Sequence, residues 1–156
     1  MLPAMDAAGG VVDDIEMRRR VAAARVARLA TIDADGRPHL VPCVVALHHN
    51  TLYTPVDPKP KRTRRLRRLE NIERDPRVTL LVDEYGEAWS VLWWVRLRGV
   101  ARILDGDGEW KRAAELLRAK YQQYRGLAAT DLRPIIAVDV EEWSGWWALP
   151  PGAPAV

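Results

Sequence analysis

The sequence concentrates its positive charge in one stretch, residues 59–68, which we call the basic segment. Its seven basic residues, with no acidic residue among them, are Lys59, Lys61, Arg62, Arg64, Arg65, Arg67 and Arg68. The whole chain has 24 Lys and Arg against 21 Asp and Glu, so its net charge of +3 arises here and the remainder is slightly acidic. This distribution favours a local anionic ligand and argues against a general nucleic-acid-binding surface.

The start of the basic segment is the best candidate for an anion site. Lys59, Lys61 and Arg62 fall in a proline-containing loop and in the first turn of a helix predicted over residues 62–74. Unpaired backbone amides and the positive end of the helix dipole favour an anion at such a position. We therefore predict that these three side chains bind a phosphate group.

The rest of the basic segment divides on a helical wheel. The buried side of the predicted helix is defined by three apolar residues: Leu66, Leu69 and Ile72. Arg62 falls inside this arc and Arg65 borders it, so Arg65 is an additional candidate cation for the ligand. The three remaining arginines, Arg64, Arg67 and Arg68, are predicted to lie on a solvent-exposed face.

Two residues upstream are also candidates for the site. Thr54 is positioned to donate its hydroxyl to the same phosphate, although Thr is also an ordinary strand residue. Pro42 lies inside the second predicted strand, where it removes one backbone donor and indicates a bulge or an edge strand. A flat ring fits against such a backbone, but protection of an edge from misassociation explains Pro42 equally well.

An alternating segment around Trp94 carries a second candidate surface. Trp94 and Arg96 share one face of a predicted strand, whereas Trp93 and Val95 share the other. If the Trp93 face is the core, Trp94 points outward beside charged residues, which is typical of a partner or ligand surface. Packing of Trp94 under a helix is the alternative.

Several other classes of site are not supported. The single cysteine, Cys43, permits no internal disulfide and has no neighbouring base, so we interpret it as a core residue. The three histidines have no cysteine partners at zinc-ligand spacing, and we interpret His39 as a buried histidine with satisfied hydrogen bonds. The chain has neither a dinucleotide fingerprint nor a Gly-Lys-Ser/Thr phosphate loop.

Length and hydropathy limit the overall class. With 156 residues, the chain has the size of one domain, which we expect over residues 11–148, with residues 1–10 and 149–156 disordered. The longest apolar run, Leu40–Leu47, is too short to cross a bilayer, and residues 1–14 lack the features of a signal peptide. We therefore expect a cytoplasmic protein without membrane contact.

The elements that position these residues follow from periodicity and capping. We predict a first helix, capped by Asp13 or Asp14, to about residue 24, and a third helix, capped by Asp107, through residue 124. Strands are predicted over residues 26–32, 38–47, 51–56, 78–83, 92–104 and 135–140. Six strands joined mostly by turns, with three interspersed helices, indicate an α+β fold built on a small antiparallel barrel.

Three segments of the sequence resemble a known family. They are the hairpin over residues 28–42, the segment Leu52–Lys61 with its Lys-Pro-Lys motif, and the Leu-Trp-Trp-Val-Arg segment ending at Arg96. With the intervening residues, the chain resembles the pyridoxamine 5′-phosphate oxidase-like, split β-barrel flavin and deazaflavin oxidoreductases over about residues 12–148. More narrowly, it is similar to the actinobacterial subgroup presumed to use the deazaflavin coenzyme F420.

The resemblance implies a homodimer with two cofactor sites at the subunit interface. It implies that the ring lies along the second and third strands, at Val41 and Pro42, and that the phosphate is held after the third strand. The positions this gives for the phosphate match those reached from the residues alone: Thr54, Lys59, Lys61 and Arg62. It also assigns the outward face of Trp94 to the dimer interface or the ring pocket.

The resemblance therefore predicts a deazaflavin-dependent oxidoreductase that transfers hydride between F420 and a small conjugated organic substrate. For such chemistry the protein binds, orients and excludes water, and it needs no nucleophile. The chain ends without the extended C-terminal segment that helps bind pyridoxal phosphate in the oxidase, which argues against vitamin oxidase activity. The alternatives are an FMN flavoprotein of the same fold, and a non-catalytic module that binds a cofactor or nucleic acid with strong salt dependence.

Overall fold

The computed structural model describes residues 13–56 and 66–148. The predicted disorder of residues 1–10 and 149–156 falls outside the described residues and stays a prediction. Five residues of the basic segment also lie outside them: Lys59, Lys61, Arg62, Arg64 and Arg65.

Three helices are present in the described part of the chain. Helix α1 (Asp14–Ala23) follows Asp13, whose carboxylate accepts a hydrogen bond from the Ile15 amide at 3.0 Å. Helix α3 (Gly108–Lys120) follows Asp107, whose carboxylate accepts from the Trp110 amide at 2.6 Å. Both caps are as predicted, because a short acidic side chain satisfies amides that the first turn leaves free.

Helix α2 (Arg67–Arg74) differs from its prediction at the start. Leu66 precedes it in an extended conformation, so the helix begins at Arg67 rather than at Arg62. Its buried residues include Leu69 and Ile72, as the helical wheel predicts. The placement of Arg62 in the first turn of this helix is therefore wrong.

Seven strands form one sheet, in which every pairing is antiparallel. The strands are β1 (Ala27–Ile32), β2 (Pro38–Cys43), β3 (Ala46–His48), β4 (Thr51–Pro55), β5 (Arg77–Glu84), β6 (Trp93–Leu104) and β7 (Ile135–Trp147). Their order is β2-β1-β5-β6-β7-β4-β3. The prediction of an antiparallel barrel with flanking helices is confirmed, with seven strands instead of six because the predicted strand over residues 38–47 is divided into β2 and β3.

The division between β2 and β3 shows that the sheet is curled. These two strands lie at opposite ends of the sheet, yet only Val44 and Val45 separate them in the chain. In a flat sheet of seven strands the ends would be about 29 Å apart, at about 4.8 Å per strand. The link from Cys43 to Ala46 spans at most about 11 Å. The two ends must therefore approach each other, along a line between β2 and the β3–β4 hairpin that we call the seam.

The interior of the curled sheet is one apolar cluster. Its central residues are fully buried and come from five strands and the β2–β3 link; they include Leu29, Val45, Leu52, Leu80, Val95, Leu97 and Val138. Helix α1 adds Met17 and Val21 to the same cluster. At the bulge between β6 and β7, Gly99 lies so close to the Asp139 carbonyl that a side chain would collide with it, and this fixes glycine there.

Helix α3 builds a second apolar cluster on the outer side of β4 and β7. Trp110, Ala114, Leu117 and Tyr121 face this cluster, at the spacing that the sequence predicts. The helix ends at Lys120, and residues 122–124 form a short 3-10 turn. No helix in the described residues is long and apolar enough to cross a membrane.

Candidate functional site

The two walls of the seam meet through side chains rather than through backbone pairing. The Thr54 hydroxyl of β4 and the Cys43 thiol of β2 are hydrogen-bonded to each other, although β2 and β4 are not paired strands. Thr54 is 1% exposed, so in this arrangement its hydroxyl faces Cys43 and not open solvent. The predicted contact between Thr54 and a phosphate stays a prediction.

Cys43 is unsuited to be a nucleophile. Burial raises the pKa of its thiol, and this effect is opposed by the hydrogen bond from Thr54 and by the charge of Arg68. The thiol therefore stays protonated near neutral pH. Because the thiolate is the reactive form, a protonated Cys43 is a poor nucleophile. This agrees with the interpretation of Cys43 as a core residue.

The two residues that flank positions 57–65, Val56 and Leu66, are both held by contacts with the rest of the fold. Val56 follows β4, is buried, and donates its amide to the Pro134 carbonyl at 3.0 Å. Leu66 packs against the barrel core, and its carbonyl accepts from the Leu69 amide at 2.9 Å. Residues 57–65 therefore connect the end of β4 to the start of α2.

Among the described residues, the start of α2 has no side chain that caps its first amides. Leu66 occupies its N-cap position. Free amides in a first turn, together with the positive end of the helix dipole, are suited to an anion. This end of α2 follows directly on the four candidate cations of the basic segment: Lys59, Lys61, Arg62 and Arg65.

Arg68 corrects one prediction for the basic segment. It was expected on a solvent-exposed face with Arg67, but it is half-buried and close enough to the Cys43 thiol to affect its pKa. The reason is that the buried side of α2 includes Asn71 as well as Ile72, and Arg68 lies three and four residues before them, on the same side of the helix. Arg67 is exposed, as predicted.

Strand β2 is an end strand of the sheet, as Pro42 predicts. Pro42 faces outward and is exposed, opposite Arg28 of β1. Val41 faces inward and packs against the barrel core. His39 faces the same way, but its buried Nδ1 has no hydrogen-bond partner among the described residues, so the prediction of a satisfied histidine is wrong for this atom.

The outward position of Trp94 is settled by its neighbours. Val95 and Leu97 are fully buried in the barrel, whereas Trp94 and Arg96 are half-buried on the outer face. Trp94 and Pro42 share this face but lie three strands apart, about 14 Å. One protomer therefore does not bring these two candidate residues into one pocket.

The outer face also holds polar atoms without partners. Arg96 of β6 lies directly opposite Ser144 of β7. The Arg96 Nε and the Ser144 Oγ are both buried, and neither has a hydrogen-bond partner in the described part of the chain. Sequence analysis did not single out Ser144, whose only signal was its place opposite a charged strand residue. Buried polar atoms of this kind usually have a partner from outside the chain, such as water, a ligand or another protein.

A buried polar pair fixes α2 to the barrel and was also missed. Asn71 is 2% exposed and donates from its side-chain amide to the Thr31 hydroxyl of β1 at 2.9 Å. Its signal was a polar residue between the buried Leu69 and Ile72. Since Asn71 is one turn from Arg68, this pair helps to hold the start of α2 beside the seam.

The described residues contain no cluster of His, Cys, Asp and Glu able to hold a metal ion. Two of the open clefts lined by described residues contain charged side chains. One, of about 530 Å³, lies on the outer face and includes Arg98 and Glu142. The other, of about 570 Å³, lies beside α1 and includes Arg28 and Asp83.

Similar structures extend across the whole fold. A conserved protein of Mycobacterium tuberculosis shares 22% sequence identity, with a TM-score of 0.78, over 97% of this chain and 95% of that chain. A FAD-binding protein of Mesorhizobium loti is 25% identical, with a TM-score of 0.64, over 86% of this chain and 94% of that chain. The haem storage protein HutZ of Vibrio cholerae is 16% identical, with a TM-score of 0.64, over 86% of this chain and 93% of that chain.

Among curated proteins, none matches the sequence. The model of the family described as pyridoxamine 5′-phosphate oxidase does match, over residues 14–147. This range includes the seam, the basic segment and the whole sheet. The chain therefore belongs to the pyridoxamine 5′-phosphate oxidase family.

Proposed function

We propose that this chain is an F420-dependent oxidoreductase that transfers hydride between the deazaflavin and a small conjugated organic substrate. The observation that carries the proposal is the start of α2, which has no side-chain cap among the described residues, contains the last two cations of the basic segment and lies beside the seam. The family match and the FAD-binding structural neighbour support a cofactor of the flavin type.

The residues at the seam fit the two ends of such a cofactor. The free amides of α2, with Arg68 and the cations of the basic segment, suit its phosphate. The end strand β2 offers its edge to the ring, and the Val41 and Pro42 side chains on this strand are apolar. The carboxylates of a deazaflavin tail are additional anions that Arg65 is suited to bind.

The bound cofactor supplies or accepts the hydride. The residues of this chain hold its phosphate, orient its ring and exclude water, which is sufficient when the group to be transferred resides on the cofactor. Cys43 takes no covalent part, since burial raises the pKa of its thiol.

The proposal includes a homodimer through the outer face of the sheet. Trp94 is three strands from Pro42, so it joins a site with Pro42 only when a second copy packs against this face. The same face exposes 65% of Leu40 and 36% of Leu81, and it holds the Arg96 Nε and the Ser144 Oγ, which lack partners among the described residues. An apolar surface with polar atoms lacking partners is typical of an interface.

Sedimentation of two variants tests the dimer. Leu81→Asp places a charge in the proposed interface, so we expect the wild-type protein to sediment as a dimer and this variant as a monomer. Ile15→Asp, at an exposed position of α1, is the matched control and should remain dimeric. A monomeric wild-type protein, or dissociation of both variants, would contradict the dimer.

Fluorescence titration tests the cofactor. The purified protein is titrated with F420, with FMN and with hemin, and we expect the tightest binding for F420. In the double variant Lys59→Ala/Lys61→Ala, the loss of two charged hydrogen bonds to phosphate, each worth about 1.5–3 kcal/mol, should weaken binding about 100-fold or more. Lys111→Ala/Arg112→Ala, which removes two exposed cations of α3, is the control and should bind normally.

The three ligands separate the alternatives. Tight binding of FMN alone would replace the deazaflavin with a flavin, whereas binding of hemin alone would contradict an oxidoreductase of this type. A nucleic-acid-binding module predicts a different pattern, in which Arg64, Arg67 and Arg68 matter more than Lys59 and Lys61 and affinity falls steeply with salt. A cytoplasmic location is part of the same proposal.

A further inference from the structure

A cleft of about 570 Å³ lies between the end of α1, the start of β1 and the β5–β6 hairpin. Its charged lining consists of four arginines and two carboxylates: Arg19, Arg20, Arg25, Arg28, Asp83 and Glu84. None of these residues belongs to the basic segment, and the proposed cofactor site has no use for them. The cleft is therefore a second concentration of positive charge.

Two of the arginines keep most of their donors free. Arg28 donates from Nη1 to Asp83 at 2.7 Å, and 43% of its side chain is exposed. Arg25 donates from Nη1 to the Lys120 carbonyl at 2.9 Å. A guanidinium carries five N–H donors, and in the described residues each of these two uses one of them. The remaining donors are available to a ligand in the cleft.

The other two arginines, Arg19 and Arg20, are held in place by contacts within the protein. Glu16 accepts hydrogen bonds from both Arg19 and Arg20 at 2.7 Å, and these contacts lower the pKa of Glu16 to about 2. Arg20 also stacks on the Trp93 and Trp147 rings, with its guanidinium carbon 4.7 Å and 5.2 Å from their centroids. Since Glu16 compensates only one of these charges, the cleft retains an excess of positive charge even with Asp83 and Glu84.

We propose that this cleft binds a small oxyanion with at least two negative charges, either a phosphate ester or a polycarboxylate. Arg25 and Arg28 are the principal donors, and Arg19 contributes charge from α1. Guanidinium groups present paired N–H donors that match phosphate and carboxylate oxygens, and such charged hydrogen bonds are the strong ones. The site goes beyond the proposed function, because it requires no cofactor, although Arg28 lies on the same outer face as Leu81 of the proposed dimer.

Calorimetric titration with pyrophosphate and with citrate tests the site in the Lys59→Ala/Lys61→Ala background, which removes two of the seven competing cations of the basic segment. We expect saturable binding of at least one anion at a single site. Arg28→Gln and Arg25→Gln should each weaken it about 5- to 10-fold, since each removes one charged contact. Binding of pyrophosphate alone identifies a site for phosphorylated molecules, and binding of citrate alone a site for polycarboxylates.

Arg98→Gln is the matched control. Arg98 is an outer-face strand arginine that pairs with a carboxylate, Glu142, at 3.3 Å, but it lines the other cleft. Its substitution should leave binding unchanged. Equal weakening in Arg98→Gln, or no saturable binding of either anion, would overturn the proposal.

Chemical footprinting locates the anion independently of substitution. Phenylglyoxal modifies accessible arginines, and mass spectrometry of peptides reports each position. We expect pyrophosphate or citrate to protect Arg25 and Arg28 and to leave Arg98 reactive. Arg28→Lys, which keeps the charge, should fold as the wild type does and bind with an intermediate affinity. Protection of Arg98 without protection of Arg28 would also overturn the proposal.

Discussion

The two sides of the barrel differ in how completely their polar groups are satisfied. Under α3, Arg102 makes four hydrogen bonds to Glu109 and Asp139, between 2.7 and 3.0 Å. Tyr53 donates to Glu109 and Thr51 donates to Asp139, each at 3.0 Å. In this network every carboxylate has at least two partners, so little capacity remains for a ligand.

Strand β2 and the part of the outer face around Arg96 and Ser144 differ from this, because they retain unused hydrogen-bonding groups. The His39 Nδ1, the Arg96 Nε and the Ser144 Oγ are buried and lack partners among the residues described. On the α3 side, the Arg118 Nε is the exception, although another nitrogen of the same guanidinium donates to the Arg125 carbonyl. The difference indicates that the α3 side stabilises the fold, whereas β2 and the outer face are available for binding.

Removing a satisfied group should have the largest effect. The Tyr121 hydroxyl accepts from the Val45 amide at 2.9 Å and lies 2.8 Å from the Val45 carbonyl, both buried. Tyr121→Phe leaves the buried Val45 amide without this partner, whereas the Val45 carbonyl keeps the Lys120 ammonium at 2.7 Å, so we expect the free energy of unfolding to fall by about 2 kcal/mol. Urea denaturation measures this loss. Tyr85→Phe, at an exposed position, should show no loss, and a similar fall in both variants would contradict the comparison.

A matched pair of hydroxyl deletions tests the difference directly. Thr51→Val removes the hydrogen bond to Asp139 and should cost about 1 kcal/mol of unfolding free energy. Ser144→Ala removes a buried hydroxyl that has no partner in the described chain, so it should change the stability of the monomer by less than about 0.5 kcal/mol. Denaturation at a protein concentration where the monomer predominates measures both. A larger loss in Ser144→Ala would show that the outer face is already satisfied.

The smallest expected effect is a dependence of the free energy of unfolding on pH. Burial, together with the charge of Arg25, lowers the pKa of Lys120 to about 8 from the usual value of 10.5. Above pH 8 the unfolded chain therefore binds more protons at this residue than the folded chain, so its contribution to stability rises with pH up to about 10.5. In Lys120→Met this rise should be absent.

Melting curves between pH 7.5 and 9.5 measure the Lys120 effect. The upper limit stays below the range where tyrosines ionise in the unfolded chain. Lys111→Met, at an exposed position of α3, is the control and should keep the wild-type slope. An unchanged slope in Lys120→Met would contradict the lowered pKa.

Features encoded by near neighbours in the chain were predictable. Asp13 and Asp107 specify the starts of α1 and α3, because a cap needs only the amides two or three residues away. The division of residues 38–47 into β2 and β3 was not predictable in this way. Leu40–Leu47 is one apolar run whose only breaker, Pro42, lies inside β2, and its interruption at Val44 and Val45 follows from closure of the whole sheet.

In the candidate site too, features set by neighbouring residues were predictable, whereas features set by the closed sheet were not. Alternation alone defined the two faces of β6 and left their assignment to the structure, where burial of Val95 turns Trp94 outward. The position of Arg68 depended on the burial of Asn71, a polar residue that shifts the buried side of α2 toward Arg68. The juxtaposition of Cys43 and Thr54 is a property of the closed barrel, because no strand pairing connects them.

The two-residue link at Val44 and Val45 leaves no slack between the first and last strands of the sheet. The length of this link therefore limits the circumference of the barrel. Lys120 and Tyr121 hold the link against the end of α3 through hydrogen bonds to the Val45 carbonyl. A ligand of a different width cannot be accommodated by spreading the strands apart. Adaptation to a ligand with a different ring must instead change side chains of strand β2, such as Val41 and Pro42, while the link keeps its length.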